Sequence, residues 1–233
     1  MAGPNPLGAI AVGVGAGLLY HLMTSNSESK IVLIENFQQC VEAVKILRRH
    51  CAEVPVLGFD CEWVNAPDVS LLQLCSHKGY CAVIRLCNIP NPPSSLCDLL
   101  SDRKVVKVGV GTTIDCKYLK SCNLPTYSTL DLRFVAKLTG ERAQNLADMY
   151  KDVVGGTLNK DFQLSCSDWE AFQLTPQQIQ YAADDAIAGM DIYLKLAKKV
   201  ADVKVFEDYY NMNYIPYRHG NLESVATNEC SLQ

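Results

Sequence analysis

Hydrophobic and polar positions follow two different periods along the chain, and each change of period marks an element. Ile31-Val-Leu-Ile34 is a short apolar run that predicts a strand. From Glu35 to Cys51 the apolar residues Val41, Val44, Ile46 and Leu47 stand among polar ones, which predicts an amphipathic helix. Val54 to Trp63, Val69 to Cys75 and Tyr80 to Leu86 are β-rich runs separated by short turn-forming stretches, so they predict neighbouring antiparallel strands. Pro90 to Pro93 ends that block. Beyond it the pattern predicts a short helix over Ser94–Leu100, a buried strand over Lys104–Val110 closing in Gly109 and Gly111, a helix over Thr112–Ser121 and a strand ahead of Asp131. Further helices are predicted over Gln144–Val154, Asp168–Phe172 and Thr175–Val200, the last opened by Thr175-Pro176, a capping residue followed by a first-turn proline. Strands come first, helices later and βα units between, an order that suits an α/β fold with a mixed sheet flanked by helices.

The first segment, Leu7 to Met23, is uncharged over 17 residues and is expected to be a membrane anchor. A helix of that length reaches about 25 Å, slightly short of a hydrocarbon core of about 30 Å. It has no Lys or Arg ahead of it, which reads against a cleaved secretory signal; a flexible Gly/Ala leader is the other reading. Its Gly13-xxx-Gly17 pair is a weak sign of helix pairing. Residues 24–29 read as a polar linker, 30–205 as the globular domain and 206–233 as a partly mobile extension.

With 48% hydrophobic and 20% charged residues, the chain can bury a sizeable core. Its eleven Cys form no CxxC pair and its four His are scattered, so a zinc site is not expected. Several Cys, such as Cys75 and Cys81, sit in apolar runs where a thiol behaves as a small hydrophobe, so a reducing compartment is expected. The net charge of -4 reads against a high-affinity nonspecific nucleic-acid binder. It leaves room for a nuclease, because divalent ions in an acidic site reverse the local field where a phosphate would sit.

Gly58-Phe-Asp60-Cys-Glu62-Trp63 carries the sharpest chemistry. Strand alternation puts Asp60 and Glu62 on one face and Cys61 and Trp63 on the other. Two converging carboxylates repel unless a proton or a divalent cation reconciles them, although an isolated Asp-x-Glu is more often a solvated strand edge. On the long helix, Tyr181 and Asp185 are four apart and share a face. Taken alone, that pair is more often a half-buried ring packed on the sheet beside a surface acid. Asp115 follows a buried strand in the first turns of a helix, where an acid also complements the helix dipole. The nearby Gly109 and Gly111 lack the Gly-Lys-Ser/Thr ending of a phosphate-binding loop.

Together these segments resemble the DEDDy 3′-5′ exonuclease family of ribonuclease D and Werner-type exonuclease domains. The likeness runs over about residues 30–200. It is reinforced by Leu158-Asn-Lys160-Asp-Phe-Gln163-Leu-Ser-Cys166-Ser-Asp-Trp169, Leu174-Thr-Pro-Gln-Gln, Pro55 to Asn65, Ser70-Leu-Leu-Gln73, Lys107-Val-Gly-Val-Gly111 and Ile215-Pro-Tyr-Arg218. The resemblance implies a ribonuclease H-like mixed sheet and hydrolysis of the terminal phosphodiester of single-stranded DNA or RNA 3′ ends by two Mg²⁺ or Mn²⁺ ions. It makes Asp60, Glu62, Asp115 and Asp185 the metal ligands and Tyr181 the group that orients the nucleophile. Trp63, Leu71, Leu72, Gln73 and Lys160 become candidate substrate contacts, with core packing the competing reading for the two leucines. The resemblance further implies a homodimer attached to the mitochondrial outer membrane and facing the cytosol, with the nucleus as alternative. Two other readings stay open at this stage: a membrane-tethered scaffold that binds nucleic acid or protein without cutting, and a calcium or phosphatase site.

Overall fold

The computed structural model describes residues 30–215. Its centre is a six-stranded sheet of β1 (Lys30–Ile34), β2 (Val56–Glu62), β3 (Leu71–Ser76), β4 (Tyr80–Arg85), β5 (Val106–Gly109) and β6 (Thr129–Asp131), in the order β1-β4-β3-β2-β5-β6. β3 runs antiparallel to both its neighbours, β2 and β4, as the short connections require. β1 joins β4, and β5 and β6 extend from β2, in parallel. The sheet is therefore mixed, as expected.

Helices cover both faces, which is why the central strands are apolar on both sides rather than alternating. On one face Leu57, Phe59, Leu72, Leu74, Ala82 and Ile84 meet α1 (Phe37–Cys51) and α2 (Ser94–Ser101). On the other, Val56, Leu71, Val83, Val106 and Val108 meet α7 (Pro176–Ala197). Between these helices lie α3 (Thr112–Ser121), α4 (Leu132–Leu138), α5 (Leu146–Met149) and α6 (Phe162–Ser165).

α7 is fixed at its start and along its length. Thr175 and Gln178 form a reciprocal capping box, with Gln178 N–H donating to Thr175 Oγ1 at 3.2 Å and Thr175 N–H to Gln178 Oε1 at 2.9 Å. Its sheet-facing residues include Ala182, Ala183, Ala186 and Gly189, so the helix backbone comes down onto the strands. The approach is closest at Gly58, where an added Cβ would stand 1.9 Å from the Ala186 carbonyl oxygen.

Three local expectations are corrected. Asp168–Phe172 is not a helix: the Asp168 carboxylate accepts from the Glu170 N–H at 3.0 Å, a local turn that competes with helix formation. The helical turn lies earlier, at α6, capped by Asp161. In the expected helix over Gln144–Val154, α5 starts only after the Asn145 cap, and Tyr150–Val154 widens into a π turn that ends at Gly155, φ 88°. α4 has no counterpart in the sequence reading; its seven residues are too few to display a helical period.

Packing also continues beyond the expected domain end at 205. Phe206, in a 3-10 turn over Val203–Tyr209, is fully buried against Tyr193, with ring centroids 6.1 Å apart. Asn211 N–H then donates to the Thr129 carbonyl at 2.7 Å, while Asn211 Oδ1 accepts from Thr129 N–H at 3.2 Å. Among the described residues no helix is long and apolar enough to cross a membrane. The expected anchor at 7–23, the linker at 24–29 and the tail from 216 lie outside the described residues.

Because backbone meets the space at Gly58, Gly58→Ala should destabilise the domain by about 1–3 kcal/mol or more. The expected result is a lower urea midpoint at unchanged m-value; an unchanged midpoint would show that α7 does not lie this close to β2.

Candidate active site

β2 presents Asp60 and Glu62 on the α7 side, while Phe59 and Cys61 turn into the opposite core. Ala186 rests on Gly58, two residues before Asp60, and this seat brings Asp185 beside the strand-borne pair. Carboxylate oxygens of Asp60, Glu62 and Asp185 lie within 4.8 Å of one another. Tyr181 stands one turn before Asp185 on the same helix face, its ring 6.1 Å from that of the buried Trp169. The adjacent Asp184 belongs to another face and accepts from Gln180 Nε2 at 2.6 Å.

Asp115, in the first turn of α3, is almost fully buried; it is not one of the three carboxylates within 4.8 Å of one another, but it is near enough for its charge to act on Asp60. The turn before it needs Gly111, whose φ of 81° is strained for any residue with a side chain. Gly111 N–H donates to Asp131 Oδ2 at 2.9 Å. Asp131 in turn accepts from the Arg133 backbone at 3.0 Å and from its guanidinium at 2.9 and 2.6 Å, so one buried acid ties the end of β6 to the start of α3. Asp131 was not singled out from the sequence; its only signal is an Asp at a strand end with Arg two residues on. Arg85 was also missed. It is fully buried in an apolar strand, donating to Glu35 Oε1 and to the Phe172 carbonyl at 3.2 Å each, and thereby holds the loop that leads into α7.

Electrostatics in the pocket are in conflict. Burial, followed by the charges of Asp115, Asp185 and Glu62, holds the Asp60 carboxyl well above its ordinary range. Burial and Asp185 push Glu62 up to about 8. Burial and the charge of Asp131 push Asp115 up to about 7. Asp185 is raised by burial, against the pull of Lys160. The Tyr181 phenol is pushed up to about 12 by burial and by Asp185 and Glu62, so it stays protonated at neutral pH. Carboxylates so placed need either protons or a cation. With Cys61 facing away, the donors are oxygens alone, the set that suits a hard divalent cation such as Mg²⁺ or Mn²⁺.

The other sequence candidates fall in different places. Lys160 lies on the acid cluster, with Nζ 2.6 Å from both Oδ1 and Oδ2 of Asp185. Trp63 is half-buried on the far side, edge-on to Tyr118 at 5.0 Å. Leu71, Leu72 and Gln73 are fully buried and offer a substrate no surface; Leu71 belongs to the α7 core and Leu72 to the opposite one, as strand alternation demands. Gln73 pairs directly with Asp60 across the ladder, and neither polar atom of its amide has a hydrogen-bond partner among the described residues.

Residues 34–201 match the 3′-5′ exonuclease family. The chain is 43% identical over 157 residues to exonuclease 3′-5′ domain-containing protein 2 of Drosophila melanogaster, covering 65% of this chain and 27% of that protein. It is 35% identical over 182 residues to the human protein of the same name, covering 72% of this chain and 29% of that one. It thus spans less than a third of either relative. Among solved structures, Escherichia coli RNase D shares the fold at a TM-score of 0.63 and 24% identity, over 73% of this chain and 45% of that one. The match takes in Asp60, Glu62, Asp115, Tyr181 and Asp185, and the chain belongs to the 3′-5′ exonuclease family.

Proposed function

We propose that this chain removes nucleotides from the 3′ end of single-stranded DNA or RNA by hydrolysing the terminal phosphodiester, with two divalent cations, Mg²⁺ or Mn²⁺, in the acid pocket. One observation carries the reading: carboxylates from β2 and α7 meet within 4.8 Å of one another, inside the segment that matches the exonuclease family. Structural acids have no reason to accept such repulsion. Asp60, Glu62 and Asp185 would hold one cation, and Asp60 with Asp115 the other. When bound, such ions neutralise phosphate charge and acidify water.

The chain's own groups supply position and proton control. Tyr181 keeps its proton, so its hydroxyl can donate or accept a hydrogen bond and orient the attacking water. Asp131, through Gly111, fixes the helix start that carries Asp115. The buried Trp169 lies beside the Tyr181 ring, with centroids 6.1 Å apart. We also propose residues 7–23 as a membrane anchor, on the strength of their uncharged sequence. A fluorescent fusion that remains diffuse in the cytosol would remove that anchor.

With a 5′-labelled single strand and Mn²⁺ or Mg²⁺, the chain should give a ladder shortening from the 3′ end. Asp60→Asn should slow it by at least about 100-fold and Tyr181→Phe by about 10- to 100-fold, each while remaining folded. Binding without a ladder would mean that the fold is used as a scaffold.

The raised carboxyls also set a pH dependence. Glu62 moves from 4.5 to about 8 on folding, so the native state holds a proton the unfolded chain has lost, and stability falls as pH rises through that window. In chelator, wild type should therefore lose stability relative to Glu62→Gln between about pH 5 and pH 8, and saturating Mn²⁺ should abolish the loss. Paired thermal melts showing a constant difference across that range would contradict the upward displacement of the Glu62 carboxyl.

A further inference from the structure

We infer that Lys160 is the built-in counter-ion of the acid pocket: its ammonium occupies Asp185 until a divalent cation takes its place. The inference rests on the reading of the pocket as a cation site. Lys160 Nζ stands 2.6 Å from each oxygen of Asp185, so a single ammonium engages both atoms through which that residue could ligate. It also lies 5.6 Å from the centre of the Tyr181 ring, within cation–π range. One positive charge is thus held between the two α7 residues that define the site. It acts on Asp60 and Glu62 as well.

The surroundings favour exchange over permanence. The Asp185 side chain is 12% exposed and that of Lys160 is 36% exposed, so the acid sits inside while the lysine reaches in from solvent. Lys160 belongs to the stretch between Gly155 and α6, where residues 156–161 form neither helix nor strand. Its long stem can therefore withdraw without breaking a helical or strand hydrogen bond. The ammonium pairs with Asp185 alone, whereas a divalent cation carries twice the charge and can be shared by Asp60, Glu62 and Asp185, whose oxygens lie within 4.8 Å of one another. Binding of the second displaces the first, and the observed metal affinity is the intrinsic one reduced by the stability of the Lys160–Asp185 pair.

The test is Mn²⁺ binding to the full chain by calorimetry, comparing wild type with Lys160→Met, Lys160→Arg and Asp185→Asn. Lys160→Met should bind Mn²⁺ about 3- to 30-fold more tightly, the range expected for loss of a partly buried competing pair. It should melt at a lower temperature in chelator and at the wild-type temperature in saturating Mn²⁺. Lys160→Arg, which keeps the charge, should stay near wild type in both. In the wild-type chain with ¹⁵N-labelled lysine, the ammonium signal that is missing from Lys160→Arg should shift on adding Mg²⁺, at the midpoint of binding. Unchanged or weaker Mn²⁺ binding by Lys160→Met, or an ammonium signal indifferent to Mg²⁺, overturns the counter-ion while leaving the cation site standing. A wild-type chain that binds no Mn²⁺, or binds it no better than Asp185→Asn, removes the cation site and the counter-ion together.

Discussion

Helix α7 lies against β2 with backbone in the space where a side chain at position 58 would be. Everything chemical in the molecule is referred to that seat. Ala186 touches the strand at Gly58, so Asp185 and Tyr181 are placed relative to Asp60 by backbone contact rather than by flexible side chains. The same economy of volume continues along the helix, where Gly189 lies over β5 with an added Cβ only 3.1 Å from the Val108 carbonyl. Interiors packed this closely resist small displacements, which is what an arrangement of converging carboxylates requires.

The fold thereby forces together groups that repel. Asp60, Glu62 and Asp185 come from two elements, Asp115 from a third, and burial strengthens the repulsion that proximity creates. The restraints lie one layer out: Asp131 on Gly111, Arg85 on the loop before α7, the capping box at Thr175. Each is a buried or capping hydrogen bond that holds the strained centre in place, and the Asp131 charge in addition raises Asp115.

Much of this was legible in the sequence because the decisive spacings are local. A period of two separates Asp60 and Glu62 from Cys61 and Trp63, and the structure keeps that division. A spacing of four puts Tyr181 and Asp185 on one face, and Thr175-Pro176 marks where their helix begins. What could not be read was either too short or too distant. α4 has only seven residues. Asp168 turned an apparent helix into a hydrogen-bonded turn, and Arg85 looks like an intrusion into an apolar strand until its partners, as many as 87 residues away, are seen. Leu71 and Leu72 follow the first motif in sequence as though they belonged to the site, yet burial on opposite faces of the sheet commits both to the core. No local pattern connects Lys160 with an acid 25 positions later.

Asn211 closes the β6 border of the sheet by satisfying both backbone groups of Thr129, its own φ of 62° turning the chain back on itself. A single residue thus does the work of a seventh strand. Exposed strand borders invite pairing between molecules, and at Thr129 both backbone groups that would take part are already engaged. The segment that follows the long helix is thus tied to the sheet border as well as to the helix, through Asn211 on Thr129 and Phe206 on Tyr193.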